Sequence, residues 1–239
     1  MEYYFAEEKN INRTSGEIII TGFEYKHLAK VLRKKPGDEI TLTDGKLNVY
    51  ACKIEDVNSN AVKCKIEKIQ TGLYEPQKKV TLFLSPLKNL SRFEFAVEKA
   101  VELGVSKIQP VITEHTIQKN EFSETKKERL RKIIISAMCQ SQRCHLPELR
   151  ESLTLNKMIE QTQNDKIKIV MFEFSKDSGL EETADNGNEL DLLIGPEGGF
   201  SEKEIELLSG NGWKVKSLGN RKLRAETAAI VSVYKLTGN

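Results

Sequence analysis

From residue 80 onward the apolar positions alternate between two textures. Short runs at residues 80–84, 108–112, 167–172, 190–194 and 213–218 have the length and composition of buried strands. Between them apolar residues recur at helical spacing: Phe93, Ala96, Val97, Ala100 and Val101; then Leu130, Ile133, Ile134, Ala137 and Met138; then Ile205, Leu207 and Leu208; and last Ala225, Ala228, Ala229, Val233 and Leu236. Ser91 with Glu94 and Ser201 with Glu204 read as capping boxes, in which hydroxyl and carboxylate satisfy each other's backbone amides. Thr125 with Glu128 marks another helix start, Gly104 a left-handed stop, and Gly210 and Gly212 a second stop. Strand and helix in alternation predict an α/β fold with a largely parallel sheet and helices on both faces.

The first 71 residues read differently. Residues 17–21 and 38–43, the series Leu47, Val49 and Ala51, and the series Val62, Cys64 and Ile66 follow strand periodicity, and Asp44-Gly45 marks a hairpin turn. So many short strands in so few residues predict a small β-barrel, which leaves no open edge. Residues 25–35 are helical in pattern and carry Lys26, Lys30, Arg33, Lys34 and Lys35. Such a cluster serves either as a solvated helix face or as a phosphate contact that positions RNA. Arg13 is a further candidate for that contact. Residues 72–79, polar and containing Gly72 and Pro76, predict a linker, which divides the chain into domains 1–71 and 72–239. Residues 175–189, with Gly179 and Gly187, read as a surface loop.

Charge narrows the function. Of 239 residues, 37 are basic and 35 acidic, so a histone-like electrostatic binder is excluded and any nucleic-acid contact is a local patch. Cys52, Cys64, Cys139 and Cys144 lack paired metal-ligand spacing, and Cys139, Cys144 and His145 lack a fourth ligand, so no metal site is expected. His27, His115 and His145 fit no nucleophile–base arrangement, which argues against a hydrolase. With no leading apolar segment and no apolar run near the roughly 20 residues that span a bilayer, the expected setting is the cytoplasm, with no membrane partner.

The chemistry concentrates near the carboxyl terminus. The strand at 190–194 runs into Gly195-Pro196-Glu197-Gly198-Gly199, and the next strand runs into Leu218-Gly219-Asn220-Arg221-Lys222-Leu223-Arg224, each loop leading into a helix. In open α/β sheets ligands bind outside the carboxyl ends of strands, which places both loops at one pocket. Gly-Pro-Glu-Gly-Gly-Phe-Ser followed by Leu-Gly-x-Arg-x-Leu-Arg-x-Glu-Thr-Ala resembles the signature of the ribosomal RNA small-subunit methyltransferase E family, of the SPOUT superfamily. The likeness extends through Glu102-Leu103-Gly104-Val105 and the stretch from His27 to Arg33.

That resemblance implies a parallel sheet with a C-terminal trefoil knot and a PUA-like N-terminal barrel. It also implies an S-adenosylmethionine-dependent homodimer that methylates N3 of a uridine in 16S rRNA. The same fold acting on another RNA position or on ribose, and a non-catalytic RNA-binding assembly factor, are the alternatives. Expected at the cofactor are Phe172, Ile194, Gly195, Pro196, Glu197, Gly198, Gly199, Leu218, Gly219 and Leu223; at RNA, Arg13, Lys30, Arg33, Lys34, Arg92 and Arg143. Arg224 is the expected catalytic residue, stabilising the developing uridine anion or clamping a phosphate, unless it braces the loops by pairing with Glu226 or Glu197. Glu226 is either a proton acceptor or a helix-start carboxylate favoured by the dipole. The chain departs from the family's pattern in two places. Lys88-Asn89-Leu90-Ser91-Arg92 stands for a Lys-Gly-Asp-Arg, and Gln140-Ser141-Gln142-Arg143 for a Gln-Ser-Gly-Arg.

Overall fold

The computed structural model describes residues 2–162, 166–178, 180 and 188–238; Gly179 and Gly187 of the expected surface loop lie outside them. The chain divides into two compact units, Met1–Glu75 with Met138–Leu146, and Pro76–Ala137 with Pro147–Asn239. A single cut after residue 71 does not describe this division, because a segment from the middle of the chain belongs to the first unit.

Six strands build the first unit: β1 Tyr4–Phe5, β2 Ile11–Asn12, β3 Glu17–Ile20, β4 Glu39–Thr43, β5 Asn48–Val57 and β6 Val62–Thr71. Their order is β1-β4-β5-β6-β3-β2, antiparallel throughout except for the β1–β4 pair. Tyr4, Ile18, Ile40, Tyr50, Ile54 and Val62 meet with Tyr25 and Leu28 in one apolar core, so the sheet curls round it as a barrel wall does. The hairpin turn after β4 is held from inside. Asp44 is buried and accepts hydrogen bonds from the Lys46 amide (2.8 Å), Asn48 Nδ2 (2.8 Å) and the Tyr50 hydroxyl (3.0 Å). Burial and the Asp44 carboxylate together push the Tyr50 hydroxyl up to about 12.

The basic helical segment begins as helix α1, Gly22–Tyr25, and widens into π-helical turns over Lys26–Val31. Residues 72–75, expected to be a loose linker, are tied down instead. The Gly72 amide donates to the Leu47 carbonyl at 2.8 Å, and the Glu75 carboxylate accepts from the amides of Cys144 (2.7 Å) and His145 (2.8 Å). Arg143, only 3% exposed, completes this arrangement with Nη2 2.7 Å from Glu75 Oε2. Its expected role at RNA is therefore corrected: the guanidinium is spent inside the first unit, where it neutralises a carboxylate that burial would otherwise penalise.

The second unit holds β7 Lys79–Leu84, β8 Lys107–Ile112, β9 Glu148–Leu149, β10 Leu153–Thr154, β11 Ile167–Met171, β12 Glu189–Ile194 and β13 Lys214–Lys216. The order is β10-β8-β7-β12-β11-β13, with β9 also on β8, and every pair is parallel. The helices are α2 Leu90–Glu102, α3 Glu124–Gln140 (its last turn in the first unit), α4 Leu155–Gln161, α5 Glu202–Gly210 and α6 Ala225–Thr237. Phe83, Val170 and Leu193 pack with Leu155 and Met158 of α4, Leu208 of α5 and Trp213. Their neighbours Leu82, Leu84 and Leu192 are equally buried, and α6 lies against β7, β12 and α2. Side chains buried in succession along a strand are what a parallel sheet covered on both faces requires.

Two helix starts show how capping is decided. Ser201 and Glu204 form the expected capping box on α5. On α2 the cap is Asn89, whose side chain accepts from the Ser91 amide at 2.9 Å, while Glu94 pairs with Arg129 at 2.6 Å. Asparagine ranks with the strongest N-caps, so it displaces a serine two residues on. Gly104 stops α2 at φ +101°; a Cβ there would stand 2.3 Å from Pro76 Cγ.

Candidate functional site

The carboxyl ends of β12, β11 and β13 open into a cleft of about 290 Å³. The glycine loops after β12 and β13 were expected to meet here, and so was Phe172 at the end of β11. Strand β11 lies between β12 and β13 in the sheet, so the two glycine loops flank a strand instead of following neighbouring ones. Phe172, Ile194, Gly195, Pro196, Glu197, Gly199, Leu218, Gly219, Leu223 and Arg224 all line this cleft. Local chemistry explains the glycines. A Cβ on Gly195 would come within 2.9 Å of the Phe200 ring, so only glycine lets the loop lie against that ring. Gly219 sits at φ +97°, which side-chain-bearing residues avoid, and a Cβ there would meet no protein atom within 4 Å.

Gly198 differs from its neighbours Glu197 and Gly199. It does not line the cleft; a Cβ there would stand 3.0 Å from His115 Cβ. His115 Nδ1 lies 3.0 Å from the Gly198 carbonyl, which fixes that nitrogen as the donor. The histidine thus braces the loop from outside the cleft.

Sequence reasoning missed Met171, Glu173, Phe200, Ser217, Arg221, Lys222, Ala225 and Ala228 in the lining. Arg221 and Lys222 lay within the second loop, but Met171 and Glu173 carry no local signal, since only the strand order brings them here.

Charges around the cleft sort into engaged and free. Lys222 Nζ pairs with Glu173 Oε1 at 3.0 Å, linking the loops after β13 and β11. Glu197 accepts from the Lys88 amide at 3.1 Å. Glu226, 7% exposed in the first turn of α6, is not in the cleft lining; its Oε1 stands 3.8 Å from Arg92 Nε and its Oε2 has no hydrogen-bond partner among the described residues. Neither carboxylate therefore braces Arg224, the N-terminal flanking residue of α6. Arg221 and Arg224 are exposed and pair with no carboxylate among the described residues.

The residues expected at RNA divide the same way. Lys30 and Arg33 are exposed, Lys34 is half-buried, and none pairs with a carboxylate among the described residues. Arg33 takes φ +54°, which ends the π-helical turns. Arg13 is engaged, with Nη2 3.0 Å from Asp44 Oδ2 and 2.8 Å from the Tyr50 hydroxyl. It braces the hairpin while its side chain stays 45% exposed. Arg92 stands beside Glu226, as noted. Gln142 holds φ +59° where the resembled motif has glycine, so the backbone keeps the glycine conformation without the glycine.

Comparison with known proteins agrees with this geometry. A profile of RNA methyltransferase domains matches residues 74–237, and one of RNA methyltransferase PUA domains matches residues 20–67. The ribosomal RNA small subunit methyltransferase E of Aquifex aeolicus is 32% identical over 243 residues, covering 100% of both chains. That of Mesomycoplasma hyopneumoniae is 35% identical over 98% of each. Among solved structures, the Neisseria gonorrhoeae ribosomal RNA small subunit methyltransferase E bound to S-adenosyl methionine superimposes with TM-score 0.87 at 26% identity, covering 98% of this chain and 95% of that one. A putative methyltransferase of Legionella pneumophila with bound SAM gives 0.88 at 29%, over 100% and 97%. With the fold, the cleft and both profile matches in agreement, the chain belongs to the ribosomal RNA small subunit methyltransferase E family of RNA methyltransferases.

Proposed function

We propose that this chain transfers a methyl group from S-adenosylmethionine to N3 of a uridine in 16S rRNA. The observation that carries the reading is the cleft at the ends of β12, β11 and β13, lined by two arginines that pair with no carboxylate among the described residues. The Neisseria and Legionella relatives, alike over nearly their whole length, are bound to that donor.

The residues suit the group. Phe172, Leu218 and Leu223 supply apolar wall for an adenine, and Gly219 leaves open the space that a Cβ would fill. Backbone amides and carbonyls of Ile194, Gly195, Gly199, Leu218 and Leu223 would hold the polar groups of the donor. When bound, the donor supplies an electrophilic methyl carbon on a sulfonium that leaves as a neutral thioether. The chain's own work is alignment and charge. Uridine N3 carries a proton that passes to water, so the nucleophile is its anion, and a fixed guanidinium beside the ring lowers the free energy of that anion. Arg224, with no carboxylate partner among the described residues, takes this role. Lys30, Arg33 and Lys34 contact phosphates, which makes binding fall with salt.

The homodimer, the trefoil knot and the cytoplasmic setting belong to the same reading. They rest on the family resemblance, and sedimentation tests the first of them. Mass mapping of rRNA nucleosides from a strain lacking this gene tests the reaction. N3-methyluridine should disappear from 16S rRNA and return with the intact gene; full retention in the deletion strain overturns the reading.

A further inference from the structure

Phe174 is 75% exposed on the turn that follows β11. The turn is not loose. The Phe172 amide donates to the Lys216 carbonyl at 2.8 Å, the Ser175 amide to the Phe172 carbonyl at 3.2 Å, and the Ser175 hydroxyl to the Val215 carbonyl at 3.0 Å. Lys216 Nζ pairs with Asp177 at 2.5 Å one step further on. The backbone thus holds a bare phenyl ring out in water, where its apolar area gains nothing. It meets Phe172 edge-on with centroids 5.4 Å apart, and Phe172 lines the cleft. Aromatic surface therefore runs from the cleft wall to its rim.

Charge at the rim selects the occupant. Among the described residues the carboxylates that line the cleft are engaged, Glu173 by Lys222 and Glu197 by the Lys88 amide, and Asp177 beyond the turn pairs with Lys216. Lys176, Arg221 and Arg224 are exposed and have no carboxylate partner among the described residues. An exposed aromatic face beside free cations matches an unpaired nucleobase and its phosphate. The proposed chemistry requires such a base. N3 lies on the pairing edge of uridine, so a paired base cannot present it, and a base out of its stack needs a new surface to lie on.

We propose that Phe174 stacks on an unpaired base of the RNA substrate at the mouth of the cleft, with Arg221 on an adjoining phosphate. The inference rests on the methyltransferase reading above and adds to it the residue that receives the base.

The test compares the full-length wild-type chain with Phe174→Ala and Phe174→Tyr. Tritiated methyl transfer is measured to small-subunit particles from a strain lacking this gene. Affinity for S-adenosylmethionine is measured by calorimetry and oligomeric state by sedimentation. Phe174→Ala should lose about 10- to 100-fold in kcat/KM for RNA, the worth of one base–aromatic stack. Phe174→Tyr should keep most of the activity, and donor affinity should stay within about twofold in both. Wild-type transfer with an equally active alanine variant overturns the stacking role alone. Loss of donor affinity in the alanine variant makes Phe174 a cofactor wall, and a changed oligomeric state makes it an interface between copies; either result overturns the proposal. No methyl transfer by the wild type overturns the functional reading, and the stacking role with it.

Discussion

Two glycine-containing loops each meet arginine and put it to opposite use. In the first unit the turn at residues 44–47 is closed from within, with Arg13, Tyr50, Asn48 and two amides all converging on Asp44. In the second unit the loop at residues 219–224 has no such centre. Lys222 reaches Glu173, and Arg221 and Arg224 face water without a carboxylate among the described residues. A guanidinium held by a buried carboxylate is a structural strut, because removing either partner strands the other. One left unpaired beside a concave wall costs the fold little and is available to a ligand. Composition does not distinguish the two cases, and neither does motif; what each cation has within reach does.

This contrast can be broken most forcefully at Arg143. Replacing it with alanine strands the Glu75 carboxylate in the first unit, and we expect a loss of roughly 3–5 kcal/mol, read as a lowered denaturant midpoint. Stability unchanged in that variant would remove the distinction between strut and free cation. Arg224→Ala should do the reverse: melting within about 2 °C of wild type, but kcat for RNA methylation down roughly 100- to 1000-fold. Gly219→Val sharpens the contrast at the level of the backbone. Its positive φ and added side chain should weaken S-adenosylmethionine binding at least about tenfold, measured by calorimetry, with a stability loss of roughly 1–2 kcal/mol.

The smallest effect concerns Glu24, a carboxylate of the first unit whose pKa burial and nearby Glu2 raise to about 7. An acid with a raised folded-state value is more stable protonated, so its contribution is full below the unfolded value of about 4.3 and disappears as pH rises towards 7. Glu24→Gln should therefore stabilise the chain by about 1 kcal/mol at pH 8 and leave it unchanged at pH 4. Equal melting shifts at both pH values would show that Glu24 is not the titrating group.

Much of this was written in local pattern. The capping box at Ser201 and Glu204, the stop at Gly104, the hairpin after β4 and the apolar runs of the parallel strands each follow from a few neighbouring residues. The cleft's glycines were legible too, since a close backbone approach needs glycine wherever it falls. Gly198 shows the limit: its motif gives no sign that the missing side chain makes room for His115, 83 residues away, in place of a ligand.

By itself, then, the sequence determined the alternation of strands and helices, the two sheet types, the turns that end them and the two loops that meet at a site. Local propensity, periodicity and backbone sterics act over a few residues, so a few residues suffice to read them. Tertiary structure alone decided that β11 enters between β12 and β13 and brings Glu173 to the cleft wall and Phe174 beside Phe172, and that Met138–Leu146 joins the first unit. It also decided which arginines are struts. Pairing of strands and of charges depends on distances between residues far apart in the chain, and only folding sets those distances.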